Sequence, residues 1–189
     1  MIVLESKELV ILTPPHTASR HLHMALCCPP HNGRWICGPN PAGFCDHHLV
    51  DVPSEWKHYR RVLVVRNPLT RLVGLWLHYS WAAKQPEQPM LRRDLTWPQF
   101  VLACAEDHPG MLRWFYRWTI TRLIEPVDRL DGTIRYERLA DDLRSVLEVD
   151  VDLSAAYHDP IDPAEWYGDD RIRDLATAWG QADRLRFGY

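Results

Sequence analysis

Apolar residues recur along this chain in two ways, as short unbroken runs and at intervals of three and four. Glu8 to Leu12 reads E-L-V-I-L, and Arg61 to Arg66 reads R-V-L-V-V-R. Both are expected to be strands of a sheet covered on both faces. Thr133 to Tyr136 is expected to be a third, shorter strand. Helical spacing follows the runs. Ser19 to Cys28 comes after the breaker Thr13-Pro14-Pro15 and reads as a helix stopped by Pro29-Pro30. Leu69 to Trp81 follows the turn Asn67-Pro68, with Leu72, Val73, Trp76 and Leu77 at helical spacing. Further helices are expected over Pro98 to Glu106, Gly110 to Ile124, Ala140 to Leu147 and Asp169 to Arg186. Their aromatic residues read as core. Pro29 to Gly43 holds four prolines and three glycines and reads as an irregular excursion.

Strands alternating with helices predict an α/β fold with a mainly parallel central sheet flanked by helices. With 189 residues and no repeat, low-complexity tract or long linker, the expectation is one domain spanning 1–189. In such sheets ligands bind beyond the carboxyl ends of the strands. That puts Thr13 to His21 and Arg66 to Arg71 at the functional edge.

Composition narrows the classes. Hydrophobic residues make up 46% and charged residues 25%, the balance of a globular chain with a real core. No run of about 18 apolar residues exists, so no membrane partner is expected. The start, Met1 to Glu8, lacks the basic opening and long apolar stretch of a signal peptide, which leaves the cytoplasm as the expected compartment. Five cysteines are an odd number in a chain too large to need staples, so a disulfide framework is not expected. Cys28, Cys37, Cys45, His47 and His48 are spaced unlike the tight knuckles of structural zinc sites, and no metal is expected.

The net charge of −3 is unevenly placed. Residues 57–93 hold eight Lys or Arg against one acidic residue, whereas residues 124–189 hold sixteen acidic residues against eight Arg. An acidic chain with one basic segment suits a small anionic ligand and not a nucleic acid, whose footprint would be broadly basic. Arginine supplies 19 of the 22 basic residues. Compositional bias explains most of that total; bidentate recognition of phosphate explains a few individual positions.

Two constellations carry candidate chemistry. The first is strand, then T-P-P-H-T-A-S-R-H, then helix. A helix start offers N–H groups and a positive dipole end to a phosphate or sulfate. Thr17 and Ser19 add hydroxyls, Ala18 permits close approach, and His16, Arg20 and His21 add basic groups. The glycines and lysine of a Walker loop are missing, and an ordinary capped turn is the bland alternative. The second is R-V-L-V-V-R-N-P-L-T-R-L-V-G-L-W, from Arg61 to Trp76. Arg66 ends an apolar strand, where an unpaired charge would be costly, and Arg71 lies about one turn into the next helix. Two such arginines suit a dianionic phosphate; the bland alternative is ion pairing with the acidic C-terminal half.

Together these segments resemble the sulfotransferases that use PAPS (3′-phosphoadenosine 5′-phosphosulfate), particularly the carbohydrate-type branch. The family's P-K-T-G-S-T-S-L loop reads Pro15-His16-Thr17-Ala18-Ser19-Arg20-His21-Leu22 here. Its V-R-[ND]-P-x-x-R-L-V-S-x-Y element reads Val65-Arg66-Asn67-Pro68-Leu69-Thr70-Arg71-Leu72-Val73-Gly74-Leu75-Trp76. Ile134 to Leu139 is similar to its I-R-Y-E-x-L strand, and Asp183 to Tyr189 resembles its D-x-x-x-F-G-Y ending. The order is kept over nearly the whole chain. Two departures stand out: His16 replaces the loop lysine, and Gly74 replaces a serine that binds the 3′-phosphate.

The resemblance implies a P-loop-like three-layer fold and transfer of a sulfuryl group from PAPS to a hydroxyl of a small-molecule or carbohydrate acceptor, without a metal. Thr17, Ala18, Ser19, Arg20 and His21 would cradle the phosphosulfate with His16 in the lysine's place. Arg66 would hold the 3′-phosphate, supported by Arg71. The catalytic base would come from Cys45-Asp46-His47-His48-Leu49, as His48 or its neighbour His47. Two rivals remain open, another nucleotide- or phosphoryl-handling enzyme on the same scaffold and a silent anion-binding protein. The acceptor is set by irregular segments, where Trp35, Phe44, Trp81 and Trp97 form either a stacking wall or core.

Overall fold

The computed structural model describes residues 1–36, 51–85, 92–148, 150–151, 153 and 161–189, together with the backbone of 38–39 and 45–46. The chain gathers into two compact units, residues 1–66 with 123–159, and residues 67–122 with 160–189.

The first unit is built on a mixed five-stranded sheet. Its strands are β1 (Ile2–Leu4), β2 (Leu9–Leu12), β3 (Arg34–Trp35), β6 (Arg60–Val65) and β7 (Gly132–Arg135), in the order β3-β1-β2-β6-β7. The intervening β4 (Gly38–Pro39) and β5 (Cys45–Asp46) form a separate antiparallel pair. β6 is the central parallel strand. It pairs with β2 from Leu9↔Arg60 to Leu12↔Leu63, and with β7 from Val62↔Gly132 to Val65↔Arg135. β1 adds antiparallel to β2, and β3 adds antiparallel to β1. The two parallel ladders meet the sequence expectation; β1 and β3 go beyond it. β1 is only three residues long, too short for periodicity to declare it. A 3-10 turn over Glu5–Lys7, closed by Glu8 at φ 47°, folds it back onto β2.

Alternation through the sheet decides what the helices cover. Ile2, Leu9, Ile11, Val62, Val64 and Ile134 pack with Leu22 and Leu26 of α1 (Ser19–Leu26) and with Leu139, Leu143 and Leu147 of α6 (Leu139–Leu147). The three leucines of α6 recur every fourth residue, one stripe on one face, and each contributes about 1.5–3 kcal/mol on burial. Val10, Leu12, Leu63 and Val65 are buried as well, as the unbroken apolar runs require. Arg61 is a buried charge inside such a run, held at both Nη atoms while its Nε finds no partner. Its guanidinium donates to Asp128 and to the Lys57 carbonyl (2.7 Å), and its amide donates to Asp131 (2.8 Å). The Arg61 hydrogen bond holds the Asp128 carboxyl below its usual range.

The second unit is helical: α2 (Pro68–Ala82), α3 (Trp97–Ala105), α4 (Trp114–Arg117), α5 (Ile120–Leu123), α7 (Asp170–Trp179) and α8 (Gln181–Phe187). Asn67 caps α2 by accepting the Leu69 N–H (2.9 Å), with Pro68 at the first helical position. Tyr79 stands between Phe100 and Tyr116, at ring centroid distances of 5.3 and 5.8 Å. Trp97 packs on Trp76, Trp166 and Tyr167. These rings form core, as expected.

Two expected helices are interrupted. Gly110 to Ile124 is not one helix: α4 and α5 are separated at Trp118, which is extended (φ −87°, ψ 137°). The break persists because Asp183, from the far end of the chain, accepts the first amides of α5. Asp169 to Arg186 divides at Gly180 into α7 and α8. A Cβ there would lie 2.6 Å from Pro68 Cβ, so glycine lets the two segments meet. The acidic run Asp141, Asp142, Asp150 and Asp152, which reads in the sequence as a solvated face, is only partly one. Asp142 is largely buried and accepts the Arg135 amide (2.8 Å), whereas Asp141 and Asp150 pair with Arg144 at the surface; Asp152 lies outside the described residues. Among the described residues no helix is long and apolar enough to cross a membrane.

Candidate functional site

The carboxyl ends of β2, β6 and β7 gather one set of residues in the first unit. β2 stops at Leu12, where Pro14 and Pro15 remove two backbone donors from any continued ladder. A turn follows, closed by the Thr17 N–H to the Pro14 carbonyl (3.3 Å). Pro15 occupies its second position and His16, at φ 62°, its third, which is the type II pattern. Thr17 is fully buried and spends its hydroxyl on the same Pro14 carbonyl (2.7 Å). Ala18 is again left-handed (φ 72°, ψ 19°) and serves as the N-cap of α1.

Two left-handed residues that are not glycine thus flank Thr17, each costing on the order of 1–2 kcal/mol. The helix ladder begins with the Leu22 N–H to the Ala18 carbonyl (3.0 Å). Ala18 has no side-chain oxygen to cap it, so the amides of Ser19 and Arg20 lie ahead of the ladder at the positive end of the helix. Ser19 and His21 are half-buried and Arg20 is exposed.

Arg66 is the residue after β6, not its last residue, and is 7% exposed. Its Nη1 donates to the His16 carbonyl (3.2 Å), and its Cζ lies 4.1 Å from the ring centroid of Tyr136. Tyr136 is likewise the first residue past β7. Both follow the last register pair, Val65↔Arg135, so parallel pairing itself delivers them side by side. Asp142 secures this end of β7 through the Arg135 amide and Arg138 (2.8 Å each). His16, Thr17, Ala18, Ser19, Arg20, His21 and Arg66 are therefore brought to one sheet edge. Tyr136 was not among the sequence-derived site residues; its signal was its place at the end of the third expected strand, which the structure closes one residue earlier, at Arg135.

Arg71 lies in the second unit and is 0% exposed. Its Nη1 donates to the Trp118 carbonyl (3.0 Å), and its Cζ is 5.6 Å from a Trp179 ring. Gly74 is buried in α2. His47 and His48 lie outside the described residues, as does Phe44. Of the other wall candidates, Trp97 is packed in the helical unit, Trp81 is 52% exposed, and Trp35 packs tilted against His23 at a centroid distance of 3.7 Å. Burial lowers the pKa of His23. It pushes the Cys27 thiol up to about 11, helped by Cys28, and raises that of buried Cys104 further. Cys27, Cys28 and Cys104 are free thiols. Among the described residues no three His, Cys, Asp or Glu form a metal-ligating group.

What this edge offers chemically is attraction for an anion. The first amides and dipole of α1 and the buried Arg66 guanidinium lie at the same sheet edge, where charge-assisted bonds are strong. Compared with known proteins, the chain matches no family model, no curated protein and no solved structure.

Proposed function

We propose that this protein is a PAPS-dependent sulfotransferase, moving a sulfuryl group to a hydroxyl of a small-molecule or carbohydrate acceptor. One observation carries the reading: a strained strand-to-helix loop whose His16 carbonyl is held by Arg66 from the neighbouring parallel strand. Strain of this kind persists where the surroundings over-determine it, characteristically at ligand clamps. The residues fit a phosphosulfate. Ser19 and Arg20 present amides ahead of the ladder, and Arg66 supplies the charge for a phosphate.

When bound, PAPS supplies an activated sulfuryl group, and the chain's residues do the rest. Ser19, Arg20 and the helix dipole hold the anionic group, with His21 beside them. Thr17 shapes the loop through Pro14, and Ala18 keeps a side chain out of the anion's path. His16 stands where relatives of the proposed family carry lysine, so its stabilising charge depends on protonation. His48 or His47 takes the proton from the acceptor hydroxyl. Arg71, buried against Trp118 and Trp179, acts by supporting the helical unit.

Calorimetric titration with PAP (3′,5′-phosphoadenosine) tests the binding half. At about 100 times its Kd, PAP should add about 2.7 kcal/mol of stability. No melting shift with PAP, alongside a shift with another nucleotide, refutes the reading. The catalytic half predicts a bell-shaped pH–rate profile whose alkaline limb moves upward in His16→Lys. His48→Ala should lower turnover roughly 10²–10⁴-fold with PAP binding retained.

A further inference from the structure

Two of the groups that hold the guanidinium of Arg66 differ in kind. The Tyr136 ring lies 4.1 Å from Cζ, and the His16 carbonyl lies 3.2 Å from Nη1. A guanidinium donates only within its own plane. A ring against its face therefore consumes no donor, yet fixes the plane in which every donor points. Desolvation strengthens this, because at 7% exposure little water competes for the cation. The backbone places the ring there: Arg66 and Tyr136 each follow the register pair Val65↔Arg135, and Asp142 pins the Arg135 amide.

We infer that Tyr136 is a positioning residue: its ring sets the plane of the Arg66 guanidinium, and through the His16 carbonyl it sets the anion loop. The inference deepens the nucleotide reading given above and rests on it for the identity of the anion. Its physical content stands apart from that identity. An aliphatic side chain of similar volume would fill the space without attracting the cation, while phenylalanine would keep the face and lose only the hydroxyl.

The test compares wild type, Tyr136→Phe and Tyr136→Leu by PAP titration and by NMR of the Arg66 side chain. The rate of rotation about the Arg66 Nε–Cζ bond, read from exchange between its Nη resonances, is the readout that a merely structural role would not move. Tyr136→Phe should keep both the slow rotation and the affinity. Tyr136→Leu, with its circular dichroism intact, should rotate faster and bind PAP about tenfold more weakly. If Tyr136→Leu does not fold, pentafluorophenylalanine at position 136 replaces it, since this keeps the shape and inverts the ring's electrostatics. Retention of wild-type affinity and of slow Arg66 rotation in that variant overturns the inference. Failure of wild type to bind PAP overturns the nucleotide reading alone. The Arg66 rotation rate then still decides the role of Tyr136, and a rate unchanged by Tyr136→Leu overturns it.

Discussion

The Asp183 carboxylate, wholly buried in the helical unit, accepts the Ile120 amide at 2.8 Å and the neighbouring Thr121 amide at 2.6 Å. A side chain 63 positions away thus takes the first two amides of a four-residue helix whose own Thr119 hydroxyl reaches only the Arg122 amide (3.3 Å). Asp183→Ala should lower stability by about 1–3 kcal/mol, because it orphans two amides. Urea unfolding should show a lower midpoint with an unchanged slope. A midpoint equal to wild type would mean that water caps α5 adequately.

Gly180 gives a test in which two effects oppose each other. Helix propensity alone favours alanine over glycine by about 1 kcal/mol. The added Cβ, however, would meet Pro68 at 2.6 Å and the Ala176 carbonyl at 3.4 Å. Close packing should win, so Gly180→Ala should destabilise by about 1–3 kcal/mol. A raised Tm would show that propensity decides and that Pro68 gives way.

At Ala18 the backbone is left-handed and the methyl is buried. Ala18→Gly should be neutral within about 1 kcal/mol, relief of strain offsetting about 0.8 kcal/mol of lost burial. Ala18→Val adds branching at the same φ and should cost more than about 1 kcal/mol. Thermal melts of the two variants side by side check this; equal losses would contradict it.

His23 predicts a pH dependence of known sign. Burial lowers its folded-state pKa from the ordinary 6.5, so the unfolded chain binds the proton more readily. Its contribution to stability is therefore complete above about pH 6.5 and lost as pH falls through the lowered value. Asp94 and Asp128, both held low by arginine, act below that window. Chemical denaturation from about pH 7.5 to about pH 5 should show a decline that His23→Gln removes. An identical decline in that variant assigns the effect to another group.

Arg66 and Arg71 should separate two kinds of loss. Arg66→Ala should weaken PAP by roughly 1.5–3 kcal/mol, the worth of a charge-assisted contact. Arg71→Ala removes a buried donor to the Trp118 carbonyl and should act mainly on stability. Titration and melting of both variants discriminate. Weakened PAP binding in a fully stable Arg71→Ala protein would return that arginine to the site.

How much of this was legible in the sequence varies with the range of the interaction. The apolar runs ending at Leu12 and at Val65 and the helix over 140–147 were readable, since an unbroken apolar run and a period of 3.6 are properties of neighbours along one chain. So was the loop of residues 13–18, because prolines and a helix start announce themselves locally. The left-handed backbone at His16 and Ala18 was less visible, in residues that usually avoid it.

By itself, then, the sequence determined the alternation of strands and helices and, to within a residue at their ends, the strands of the two parallel ladders. Tertiary structure alone decided that Asp183 caps α5 where one expected helix divides, that Gly180 meets Pro68 where another divides, and that Arg71 turns inward. It also decided that Tyr136 lies under Arg66. The reason is physical: a cap, a close approach and a stacked ring each depend on a partner tens of residues distant, and no local period records where that partner will stand.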